Sequence, residues 1–171
     1  PAIAGDAVGC IGVGEPGEIC VQGPLVMDDY RDPELTAEAF RGGWLHTGDV
    51  AVRDPDGFLR IVDRTKDMIV SGGFNIYPVD LEGILLGLPG VEEAAVIGVP
   101  SERWGETPVG FVTGAKGVKL DTDALLAAAN EQLGKTQRLS ALYQIDEMPR
   151  SHIGKLLKTD LREIADRMVA A

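Results

Sequence analysis

From Glu18 to Gly23 the chain reads EICVQG, apolar and polar residues in turn, which is the period of a half-buried strand. The same alternation returns in DVAVRD and FLRIVD, which flank DPDG (Asp54 to Gly57) and predict a hairpin turning there. Between these strands DPELTAEAF predicts a short helix, with Asp32 as its cap, Pro33 as its first residue and Gly42 and Gly43 as its stop. After Asp67 the pattern changes to strands interleaved with helices. A strand at Met68 to Val70, the loop SGGFN and a helix from Pro78 to Gly87 come first, the helix ended by LPG at Leu88 to Gly90. Val79, Leu81, Ile84, Leu85 and Leu88 are expected to form its core face. Strands at Glu93 to Val99 and Val109 to Thr113, joined by a glycine-containing loop, follow. Asp121 then caps a helix running to about Leu133, Ala141 to Ile145 make a last strand, and a helix from about Lys158 to Met168 ends the order.

The change of pattern at Asp63 to Asp67 divides the chain into a β-rich piece, 1–65, and a small α+β domain, 66–171. With 44% hydrophobic and 25% charged residues the composition is that of a folded globular protein rather than a disordered or disulfide-built one. Lys and Arg number 16 against 27 Asp and Glu, a net charge of −11, so nucleic acid and anionic membrane surfaces are not expected partners. An anionic ligand would need a few placed cations and backbone amides. The two cysteines, Cys10 and Cys20, lack zinc or thioredoxin-type spacing and suit a reducing, cytoplasmic setting. The longest plain apolar run, Ala124 to Ala129, is far short of the ~18 residues of a membrane span. Beginning at Pro1 within irregular sequence, the chain reads as a piece of a longer protein.

Few residues carry recognisable chemistry. Asp49, after Gly48 at a turn, offers two acceptor oxygens suited to vicinal hydroxyls. Arg64 is charged at any pH and suited to hydrogen-bonding sugar oxygens, and Lys66 lies in DRTKD at the junction of the two pieces. Gly72 and Gly73 permit positive φ and close approach to a ligand. Lys155, following Gly154, presents a compact ammonium from a flexible arm, the kind of group that phosphoryl and adenylyl transfers alike need where negative charge collects on oxygens. Each also has a plain structural role open to it: a turn cap, a solvated charge cluster, a hairpin turn, a surface lysine. His46 and His152 have no partner at a site-defining spacing, Trp44 and Trp104 read as packing residues, and Arg150 and Lys158 as solvent-facing.

GWLHTGD (Gly43 to Asp49), DRTKDMIVSGGFNIYPVDLE (Asp63 to Glu82), the stretch from LPGVEEAAVIGVP to RWGE (Leu88 to Glu106) and PRSHIGK (Pro149 to Lys155) together resemble the adenylate-forming acid–CoA ligases. The resemblance implies an α+β fold: the β-rich, barrel-like end of a large N-terminal domain, a hinge at about 63–67, and a small mobile α+β domain with an antiparallel sheet flanked by helices. It implies Asp49 and Arg64 on the ribose and nucleotide of ATP, Lys66 as the hinge, and Gly72, Gly73 and Phe74 in the loop lining the CoA tunnel. Lys155 is implied between the carboxylate and the α-phosphate during adenylation. Where some relatives carry an assisting lysine, four residues after the hinge, this chain has Val70, and that role is not carried over.

The expected activity is therefore acid activation by ATP to acyl-AMP and transfer to CoA, with Mg²⁺ accompanying ATP and no metal site of the chain's own. Fatty acid metabolism is the expected setting. No Gly-, Ser- and Thr-rich phosphate loop followed by Lys occurs in the sequence, so the chain alone is expected to be inert. PRSHIGK also fits the pattern read by protein acetyltransferases, which makes Lys155 a candidate for acetylation. A peptide-synthetase adenylation domain, or a non-catalytic binding module of the same fold, is the alternative.

Overall fold

The computed structural model describes residues 2–4 and 12–169, and divides into two compact units, Pro1–Lys66 and Asp67–Ala171. Cys10 lies outside the described residues.

The first unit is an antiparallel sheet built from β1 (Ala2–Ala4), β2 (Pro16–Val21), β3 (Phe40–Arg41), β4 (Trp44–Arg53) and β5 (Leu59–Arg64). β4 is its spine, paired with β2, β3 and β5. Helix α1 (Pro33–Ala39) begins as its sequence predicts: the Asp32 carboxylate accepts from the Glu34 amide at 2.9 Å, satisfying a donor the first turn leaves open. It ends earlier than expected. Phe40 is already extended and pairs with Leu45, so Gly42 and Gly43 form the turn between β3 and β4 rather than a helix stop. The DPDG hairpin joins β4 and β5, with Asp54 accepting from the Phe58 amide.

In the second unit β6 (Ile69–Ser71), β7 (Phe74–Ile76), β8 (Glu93–Ser101), β9 (Gly105–Thr113) and β10 (Ala141–Gln144) form one sheet. Its pairings are antiparallel except that β10 runs parallel to β9. β8 and β9 reach further than the sequence suggests, because Pro100 and Pro108 sit within a continuous antiparallel ladder instead of breaking it. Alternation along these strands loads both faces. Val96 and Val112 join Leu81 and Leu85 of α2 (Pro78–Leu86) and Leu125 and Ala129 of α3 (Thr122–Gln132). Ala95, Ile97, Val109 and Phe111 meet Leu161 and Ala165 of α4 (Lys158–Val169) on the other. Val79, expected in the core, is 43% exposed; Pro78, Leu81 and Leu85 are the buried residues of α2. No helix among the described residues is long and apolar enough to cross a membrane.

Candidate functional site

β2 steps from Glu18 to Cys20 while its partner β4 runs from Val50 back to His46, so β4 bulges around Thr47–Asp49. A bulge bends the strand and re-aims its side chains. Here the Glu18 carboxylate accepts from the Gly48 amide at 3.0 Å, and the Thr47 hydroxyl donates to the Ile19 carbonyl at 2.8 Å and accepts from the Asp49 amide. Asp49 is thereby fixed directly opposite Arg64 on β5, with Arg64 Nε 2.9 Å from Asp49 Oδ1. The approach is an ion pair without alignment: the buried Nε–H has no acceptor in line, while Nη2 donates to the Thr47 carbonyl at 3.3 Å. Both side chains remain partly exposed, so a ligand that supplies better-directed hydroxyls can compete for them.

Beside the pair opens a cleft of about 520 Å³, lined by Thr47, Gly48, Arg64, Thr65 and Lys66 and, further along, by Arg41 and His46. Its volume is that of a small-molecule pocket. His46, unremarkable in the sequence, is largely buried, with Nδ1 2.6 Å from Glu18 Oε2 and 3.4 Å from the thiol of Cys20. Burial, together with the Glu18 charge, pushes the Cys20 thiol above its ordinary pKa, with Arg41 acting in the opposite sense. The donor atoms of Glu18, Cys20 and His46 fall within 4.8 Å of one another, close enough for a metal ion. Arg41 Nη2, 2.9 Å from the same imidazole nitrogen, already places a positive charge there.

Lys66 is exposed in the single 3₁₀ turn Thr65–Asp67, where the chain passes from one unit to the next. Gly72 and Gly73 make the two-residue turn between β6 and β7, with φ of 58° and 83°. Gly72 has a second constraint: a Cβ there would lie 2.9 Å from Cε3 of Trp104, whose carbonyl accepts the Gly72 amide at 2.8 Å. Trp104, expected to be a packing residue, is 45% exposed and backs this turn with Arg103 over its ring. Phe74 projects from the same hairpin, 59% exposed.

Lys155 lies between β10 and α4 in a loop closed by its own backbone: Ser151 N donates to the Lys155 carbonyl at 2.8 Å and Leu157 N to the Pro149 carbonyl at 2.9 Å. Lys155 is exposed, and its ammonium has no carboxylate partner among the described residues. Of its neighbours, Arg150 is exposed as expected and Lys158 is not. Arg150 pairs with Glu93 at 2.7 Å, and Lys158 is mostly buried against Glu82 at 3.0 Å, whose carboxylate also accepts the Val96 amide. Nothing in the sequence marks Glu82 and Glu93 as the acids that receive these cations, because they lie 76 and 57 residues away from them.

The structure thus brings Asp49 and Arg64 together in the first unit, and places the Gly72–Gly73 turn and Lys155 on separate loops of the second.

Residues 80–155 match the AMP-binding enzyme C-terminal domain. A feruloyl-CoA synthase from Amycolatopsis sp is 49% identical over 150 residues, covering 87% of this chain and 30% of that protein. A long-chain-fatty-acid–CoA ligase from Escherichia coli O157:H7 is 46% identical over 153 residues, covering 89% of this chain and 27% of that protein. The chain therefore spans less than a third of these relatives' length. Among solved structures, ATP-bound MatB from Rhodopseudomonas palustris superposes with a TM-score of 0.87 at 36% identity, over 95% of this chain and 33% of its own.

Proposed function

The chain belongs to the adenylate-forming acid–CoA ligases, whose C-terminal portion it matches, and on that premise we propose that it serves an enzyme joining a carboxylic acid to CoA through acyl-AMP. The observation that carries this reading is the pairing of Asp49 with Arg64, the latter lining a cleft of small-molecule size, in a chain that also offers an exposed lysine on a glycine-led loop.

The chemistry divides in two. A carboxylate is a poor acyl donor, so ATP first converts it to a mixed anhydride and pyrophosphate leaves; the CoA thiol then attacks the acyl carbon and AMP leaves. In this reading Asp49 accepts from the ribose hydroxyls, and Arg64 donates to ribose oxygens. Lys155 places its ammonium between the carboxylate oxygen and the α-phosphate, where charge grows in the first step. Mg²⁺ enters as the counter-ion of the substrate ATP. The Gly72–Gly73 turn and Phe74 serve the second step by lining the path of the pantetheine arm, and the turn at Lys66 supplies the backbone freedom to exchange one arrangement for the other. Acetylation of Lys155 by a protein acetyltransferase would remove the charge and stop the first step. Fatty or aryl acids are the substrate class suggested by the relatives' names, and the cytoplasm, which supplies ATP and CoA, is the proposed compartment.

The full-length ligase carrying this sequence, assayed against a panel of such acids, is expected to show acid-dependent ATP–pyrophosphate exchange and, with CoA, thioester and AMP in equal amounts. Exchange with no thioester would instead support a different acceptor.

A further inference from the structure

The lysine loop has a side-chain hold in addition to its backbone hydrogen bonds. Arg150 stands at the base of the loop and uses its planar fork in two directions: Nη1 donates to the Gly154 carbonyl at 3.0 Å and Nη2 to Glu93 Oε1, at the start of β8, at 2.7 Å. Gly154 is at φ 81° with nothing within 4 Å of a Cβ position, and the peptide plane that leads into Lys155 is held from both sides, its carbonyl by Arg150 and its N–H by Ser151 Oγ at 3.2 Å.

We propose that Arg150, anchored by Glu93, is a positioning residue for Lys155: by fixing the Gly154 carbonyl it sets the direction in which the next residue's ammonium is presented. The proposal rests on the reading of Lys155 as the adenylation cation. Its physical basis is that a lysine stem has many rotamers and can be aimed only through the backbone that carries it. A guanidinium makes two directed hydrogen bonds at once, whereas an ammonium in its place would reach one partner well. The Arg150–Glu93 pair is 44% and 42% exposed, so it adds little to global stability and its effect on the loop is separable from folding.

The experiment uses the full-length ligase and the variants Arg150→Gln, Arg150→Lys, Glu93→Gln, Lys155→Ala and the double variant Arg150→Gln/Lys155→Ala. Pyrophosphate exchange reports the first step, thioester formation from supplied acyl-AMP the second, and thermal melting the fold. Arg150→Gln is expected to lower the exchange kcat by about 10- to 100-fold, as misplacement of a reacting group does. The KM for ATP, the second step and the melting temperature should stay unchanged. Arg150→Lys should recover part of the loss, and Glu93→Gln should show a smaller loss in the same step. In the Lys155→Ala background, Arg150→Gln should cost nothing further, because it acts through the missing ammonium. A normal exchange rate in Arg150→Gln beside an impaired Lys155→Ala would overturn the proposal. So would additive losses in the double variant, or equal loss of both steps with a lowered melting temperature. A normal rate in Lys155→Ala would overturn the functional reading itself, and this proposal with it.

Discussion

Asp49 and Arg64 face each other across β4 and β5 with Oδ1 and Nε 2.9 Å apart, yet the N–H does not point along that line. The pair is held by its strands more than by its own hydrogen bond. A carboxylate so held is available to hydroxyl donors without losing its neighbouring charge.

Asp49→Asn keeps the shape and removes the charge. In the full-length ligase it should raise the KM for ATP by about tenfold or more, the worth of hydrogen bonds to a charged acceptor. Chemical denaturation of the chain should change by no more than about 1 kcal/mol, because the pair is partly exposed. An unchanged KM would remove Asp49 from the nucleotide site.

Gly72 and Gly73 should respond differently to alanine although both have positive φ. Gly73→Ala meets open space and should cost about 1 kcal/mol from its backbone conformation alone. Gly72→Ala also drives a methyl into Trp104 and should cost about 2–4 kcal/mol. Measured by denaturation, the Gly72→Ala/Trp104→Ala double variant should recover the steric part, and equal costs at the two glycines would refute the contact.

Lys158→Ala leaves the mostly buried Glu82 carboxylate with only the Val96 amide as donor and should destabilise the chain by about 2–3 kcal/mol. Adding Glu82→Gln should restore part of the loss in the same denaturation experiment, since the amide oxygen still accepts from Val96. A Lys158→Ala variant as stable as the parent would return this lysine to the solvent-facing role its sequence suggests.

Cys20 gives the fold a pH dependence. A thiol whose pKa is raised in the folded state favours folding below its unfolded value of about 8.5, and that stability is lost as pH rises through the higher folded value. Denaturation midpoints of the parent should therefore fall more steeply above pH ~8.5 than those of Cys20→Ala, and parallel curves would contradict the assignment.

Much of this architecture is legible in the sequence where local chemistry decides it: the Asp32 cap, the DPDG turn, the Asp121 cap and the last helix all form where their residues predict. The misreadings share another cause. Gly42 and Gly43 carry no label that distinguishes a helix stop from a hairpin turn, and the choice is made by Phe40 finding Leu45 across the sheet. Lys158 looks solvated because its acid lies 76 residues away, and His46 looks isolated because Glu18 is 28 residues before it. Motifs brought the candidate residues into view, whereas long-range pairing decided how they are held.

Lys155 is proposed to act in acyl-AMP formation and not in thiol transfer, and Lys155→Ala in the full-length ligase tests this most directly. Loss of one preorganised cation should slow pyrophosphate exchange by roughly 10²- to 10³-fold, about 3–4 kcal/mol of barrier. Supplied acyl-AMP should still react with CoA at close to the parent rate, with the melting temperature unchanged. Exchange at the parent rate, or matching losses in both steps, would contradict the account.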